Sequence, residues 1–145
     1  GVPRAYYVGI ETAAPAVPGV APPLKALCVV PMGMEEGTAV DVPGQEIGLV
    51  VGEPAEFRFL SSTTRRQDAP GTLLERWQPD ELQELDPLES LMTADEGHPA
   101  GQPVPVRLHS HVTEVGILDL SCQSTRDDRR WKLEFNVRDT EEEAG

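Results

Sequence analysis

Short runs of alternating apolar and polar residues, each cut off by proline or glycine, constrain this chain more than any other feature. Trp131, Leu133, Phe135 and Val137 alternate with Lys132, Glu134, Asn136 and Arg138, and a period of two sends one set to a buried sheet face and the other to water. Val104, Val106, Leu108 and Val112 repeat the pattern around Arg107, His109 and His111, and after Thr113 to Gly116 comes Ile117 to Cys122. That succession predicts a hairpin. Ala55 to Phe59, Ile47 to Val51, Thr38 to Val42 and Tyr6 to Glu11 supply further strands. Leu24 to Val30 is apolar almost throughout and flanked by Pro22, Pro23 and Pro31, which predicts a strand covered on both faces. Residues 62–72 and 93–103 have loop composition. One stretch departs from the pattern. Pro79 and Asp80 lead into Leu82, Leu85 and Leu88 at spacings of three, the signature of a helix start or a 3₁₀ turn. With that exception, short strands punctuated by turns predict an all-β sandwich or barrel.

The length of 145 residues suits one hydrophobic core. The expected organisation is a single β-domain over 1–139 and a disordered acidic tail over 140–145, where Glu141, Glu142 and Glu143 follow one another. Cys28 and Cys122 have no C-x-x-C partner and predict small buried thiols in a reducing compartment. No apolar run approaches a membrane span and no signal peptide opens the chain, so a cytoplasmic protein without membrane contact is expected. The net charge is −13, with 8 acids and 5 bases in 1–72 against 17 and 7 in 73–145. A nucleic-acid partner requires a basic face and is not expected; the acid-rich surface favours basic partners.

Enzyme motifs are missing: no G-x-S-x-G elbow, no phosphate-binding glycine loop, no H-E-x-x-H. His109 and His111, two apart on a strand, point the same way and with Glu114 form the best metal candidate, but two imidazoles on a polar strand face do not make a site. Ser61, Ser62, Thr63 and Thr64 lack a neighbouring base. Glu35 with Glu36 and Asp127 with Asp128 are adjacent in sequence and diverge in space. Arg129, Arg130 and Trp131 suggest a cation–π contact or a phosphate grip, or simply a strand start with solvated arginines. No catalytic residue, metal or cofactor is expected. A sandwich does, however, offer edges and loop ends where an extended peptide docks.

Several segments resemble the substrate-binding β-domain of the seventy-kilodalton heat-shock chaperones (DnaK-like). YYVGIET is similar to that family's first strand, with Gly9, Ile10, Glu11 and Thr12 matching its G-I-E-T. LHSHVTEVGILDLSC resembles a late hairpin of the family through Gly116, Ile117 and Leu118; WKLEFNV stands at its last strand, and LQELDPLE at another strand. ALCVVPMGMEEGT, FRFLSSTTR and RRWKLEFNVRD look like the C-terminal part of divergent bacterial members. The chain departs from the pattern in its expanded GQEIGLVVGEPAEFRF stretch, and no residues after Arg138 form the family's helical lid.

The resemblance implies a β-sandwich of about eight mostly antiparallel strands without the lid. It implies a chaperone-type module that binds unfolded or extended apolar polypeptide segments without chemistry. Ile10, Thr12 and Ala13 are then groove positions, and Val40 and Val42 are the corresponding candidates in the central strands. Any ATPase activity would belong to an attached domain outside this sequence. The alternative is the same sandwich acting as an assembly or regulatory module of such an ATPase, with no working groove.

Overall fold

The computed structural model describes residues 1–11, 24–44 and 46–135, and every strand pairing in it is antiparallel. The strands are β1 (Ala5–Glu11), β2 (Leu24–Val30), β3 (Ala39–Asp41), β4 (Ile47–Val50), β5 (Pro54–Ser62), β6 (Leu73–Leu74), β7 (Gln83–Leu91), β8 (Pro103–Val112), β9 (Leu118–Ser124) and β10 (Arg130–Phe135). No helix occurs among the described residues. Hydrogen bonding runs through β3, β8, β9, β10, β7, β5, β1, β2 and β6, with β4 also on β8. The strands form two five-stranded layers, β1, β2, β5, β6 and β7 against β3, β4, β8, β9 and β10. The layers are joined where Glu134 and Phe135 of β10 pair with Glu89 and Leu88 of β7. The all-β sandwich expected from the alternation is the fold, with ten strands among the described residues.

Alternation decides which side chains meet between the layers. Val8, Leu27, Val29, Phe57, Phe59 and Leu88 from one layer pack with Val106, Leu108, Leu120, Trp131 and Leu133 from the other. The residues of β1 and β2 that point the opposite way are also apolar. Ala5, Tyr7, Ala26 and Cys28 join Leu60, Leu74 and Leu82 in a second buried cluster. Ala26 to Val30 are therefore all buried, as a strand covered on both faces requires. The cover is the segment between β5 and β7, which folds back over the sheet: Gly71 N–H donates to the Cys28 carbonyl, Cys28 N–H donates to that of Thr72, and β6 pairs with β2.

Polar anchors hold this strap. The Tyr7 hydroxyl donates to Asp68 Oδ2 at 2.6 Å, and Arg65 Nε reaches the same oxygen at 2.6 Å while its Nη1 binds Glu81. The β8–β9 hairpin forms as its sequence predicts, with Val112 opposite Leu118 and a turn closed by Thr113 N–H to the Ile117 carbonyl at 2.8 Å.

Of the two alternatives after Pro79, no helix starts and the short turn forms. Gln78 to Glu81 make one turn, closed by Glu81 N–H to the Gln78 carbonyl, and β7 follows as a nine-residue strand. The spacing of three has a strand explanation. Phe57 opposes Leu88 while Phe59 opposes Leu85, so Asp86 and Pro87 together oppose Arg58 and form a bulge. The extra residue shifts the side-chain phase and turns both Leu85 and Leu88 toward the core. Pro87 sits where a missing N–H costs little. No helix among the described residues is long and apolar enough to cross a membrane. Residues 140–145 lie outside the described residues.

Candidate functional site

Of the residues expected to line a peptide groove, the described ones, Ile10, Val40 and Val42, do not border one cleft. Ile10 is half-buried near the end of β1, beside a cleft of about 280 Å³ whose apolar walls are Leu24, Ile47 and Phe57. Neither Val40 nor Val42 lines that cleft. Val40 lies half-buried in β3, and Val42 is a core residue at 1% exposure whose N–H donates to the Leu108 carbonyl. Thr12 and Ala13 lie outside the described residues.

A better-built opening lies where the layers part. Among the described residues, β10 pairs with β7 only through Glu134 and Phe135, whereas Arg130 to Leu133 pair with β9 alone. On the other side of the fork, Ser90 and Leu91 pair with Ala55 and Pro54 of β5. Two strand edges therefore diverge without partners between them among the described residues. The space between them, about 450 Å³, is lined by Glu89, Ser90, Leu91, Arg129, Trp131 and Lys132 among others. Buried polar groups are nearly always hydrogen-bonded. Here Ser90 Oγ and Trp131 Nε1 are both buried and have no hydrogen-bond partner among the described residues. Leu91, 55% exposed, adds apolar surface at the mouth.

One wall of the fork is fixed by a charged clamp. His98, buried at 6% exposure, places Nδ1 at 3.0 Å from Asp95 and Nε2 at 2.8 Å from Asp127. It ties the β7–β8 loop to the β9–β10 turn. Arg129 binds Asp95 at 3.0 Å and lies 5.5 Å above the Trp131 ring, whose edge or face meets the His98 ring at 5.4 Å and 88°. The sequence's cation–π option is thus realised by Arg129. Burial works to raise the Asp95 carboxyl, but the His98 hydrogen bond and the Arg129 charge hold it below the usual range. Asp127 is lowered first by the Arg129 backbone N–H, against some desolvation, and further by Ser124 and His98.

His109 and His111 do share one strand face, as their spacing predicts. His109 Nδ1 is engaged by Asp41 at 2.6 Å, and no group of three or more His, Cys, Asp or Glu is placed to hold a metal among the described residues. Glu114, the proposed third ligand, lies in the exposed hairpin turn. Cys28 and Cys122 are free and buried. Burial pushes both thiols up to about 12, with the Asp68 charge adding to the effect at Cys28.

Sequence reasoning did not find the fork. Trp131 and its arginines were visible in it, but the partial pairing of β10 with a strand some forty residues away leaves no local mark. No family model, no curated protein and no solved structure matches this chain.

Proposed function

We propose that this domain is a non-catalytic binding module that takes an extended polypeptide segment into the fork between β7 and β10. The observation that supports this most is the pair of diverging, unpartnered strand edges. Free edges are matched by the N–H and C=O groups of another extended backbone, and side-chain pockets then set selectivity. Leu91 offers apolar contact at the mouth, and the buried Ser90 Oγ and Trp131 Nε1 lie unpaired behind it among the described residues. A chaperone-type role, suggested by the DnaK-like motifs, fits a module that recognises backbone and apolar side chains in general.

Local charge argues against the basic partners that the net charge favours. Arg129, Arg130 and Lys132 line the fork with Glu89 as the carboxylate among them. Arg129 and Lys132 are paired with Asp95 and Asp119, which leaves Arg130, with distant acids screened beyond ~8 Å, to favour an acidic flank on an apolar segment. The test is fluorescence anisotropy of labelled heptapeptides, Leu-rich at the centre and ending in Glu or in Arg, titrated with wild type, Leu91→Asp and Ile10→Asp. Saturable binding, tighter for the Glu-ended peptide, lost in Leu91→Asp and kept in folded Ile10→Asp, is expected. Flat titrations to high micromolar protein refute the reading. Loss in Ile10→Asp alone moves the site to the cleft at β1.

A further inference from the structure

The outer face of the β8, β9 and β10 layer collects a second group of side chains, of which Arg130 and Lys132 also border the fork. In a chain of net charge −13, His109, His111, Arg130 and Lys132 stand together around a pocket of about 320 Å³, with Ser121 at its floor and Asp119 at its side. Strand register places them: His109 opposes Ser121, His111 opposes Asp119, and Lys132 opposes Ser121 from the far side.

Hydrogen-bonding valence decides what such a pocket can hold. The carboxylates are committed, Asp41 to His109 and Asp119 to Lys132 at 3.2 Å. The donors are not. His111 and the Ser121 hydroxyl have no partner among the described residues, and neither do the terminal Nη groups of Arg130. Arg130 is nevertheless held in place: its Nε donates to Gln123 Oε1 at 3.0 Å, and Gln123 Nε2 is fixed by the carbonyls of Asp127 and Arg129, both at 3.2 Å. An arginine oriented through Nε presents its two Nη groups as a fork, the geometry that matches a planar or tetrahedral oxyanion. The volume is at the small end of ligand pockets, ~300–1,000 Å³.

We infer that this face is an oxyanion site, in which Arg130, His111, Ser121 and Lys132 donate to a phosphate or phosphomonoester. It shares Arg130 and Lys132 with the fork, whereas His111 and Ser121 belong to this face alone. The acids elsewhere on the chain are screened beyond ~8 Å at physiological salt.

The probes are inorganic phosphate and O-phosphoserine, titrated into ¹⁵N-labelled protein at fixed pH, with sodium chloride at matched ionic strength as control. Saturable shifts of the Arg130 side-chain, Ser121 and His111 resonances are expected, absent in chloride. Arg130→Gln, an exposed change whose fold is checked in the same spectra, is expected to weaken binding at least tenfold, and His111→Val several-fold. Equal affinity for both probes assigns recognition to the free anion; tighter phosphoserine assigns it to a monoester. Linear shifts, shifts reproduced by chloride, or full affinity in both variants overturn the proposal.

Discussion

Replacing Tyr7 by Phe removes a single oxygen from the point where the strap between β5 and β7 is fastened to the sheet. The ring is fully buried, and its hydroxyl donates to Asp68 Oδ2 at 2.6 Å. Hydrogen bonds to charged groups contribute ~1.5–3 kcal/mol. The lower end applies, because Asp68 keeps Arg65 and is left with a partner, so ~1.5–2 kcal/mol is expected. Asp68→Ala costs more, ~2–3 kcal/mol, since it orphans a buried hydroxyl and leaves the Arg65 guanidinium, 26% exposed, with Glu81 as its remaining carboxylate. The double mutant should lose less than the two single losses combined, by ~1.5 kcal/mol. Urea unfolding followed by fluorescence reads this as a midpoint lowered by ~1 M in Tyr7→Phe, with unchanged slope.

Acid adds a second reading of the same network. Burial works to raise the Asp68 carboxyl, but hydrogen bonds from Arg65 and Tyr7 outweigh it and hold it below the usual range. Its contribution is therefore complete above the unfolded value of ~3.9 and is lost as pH falls through the lower folded value. The gap between wild type and Tyr7→Phe should narrow below pH ~4. A loss under ~0.5 kcal/mol at neutral pH, the size of an unremarkable surface change, would refute the docking of the strap through Tyr7.

Two further outcomes are expected. Both thiols, pushed up to about 12 by burial, should resist alkylation at pH 8 in the native protein and react fully on denaturation; rapid native labelling would contradict their burial. Gly71→Ala should destabilise more than Gly33→Ala in urea, although both have positive φ, because a Cβ at Gly71 would lie 2.7 Å from Pro43 Cγ while Gly33 has nothing within 4 Å. Equal losses would contradict the close approach of the strap to Pro43.

Most strands were legible in the sequence because each needs only local alternation. The Trp131 run, the β8–β9 hairpin and the two-faced Leu24 to Val30 strand required no knowledge of partners. Residue spacing alone points away from a strand at β7 for a physical reason: the Asp86–Pro87 bulge gives a strand the spacing of a helix. The candidate site was barely legible. The Tyr7, Arg65, Asp68 and Glu81 network joins residues up to 74 positions apart, His98 and Asp127 meet only through tertiary packing, and the fork arises where two strands stop pairing. Val40 and Val42 are groove candidates through a family resemblance alone, and Val42 lies in the core at 1% exposure.

Amide hydrogen exchange along Arg130 to Leu133 and Ser90 to Leu91, with and without saturating Glu-ended Leu peptide, tests the peptide-binding fork most directly. An extended segment hydrogen-bonded to these edges slows exchange at alternate residues of one or both strands. Slowing confined to the β1 cleft around Ile10, or none anywhere in the chain under saturating peptide, would contradict it.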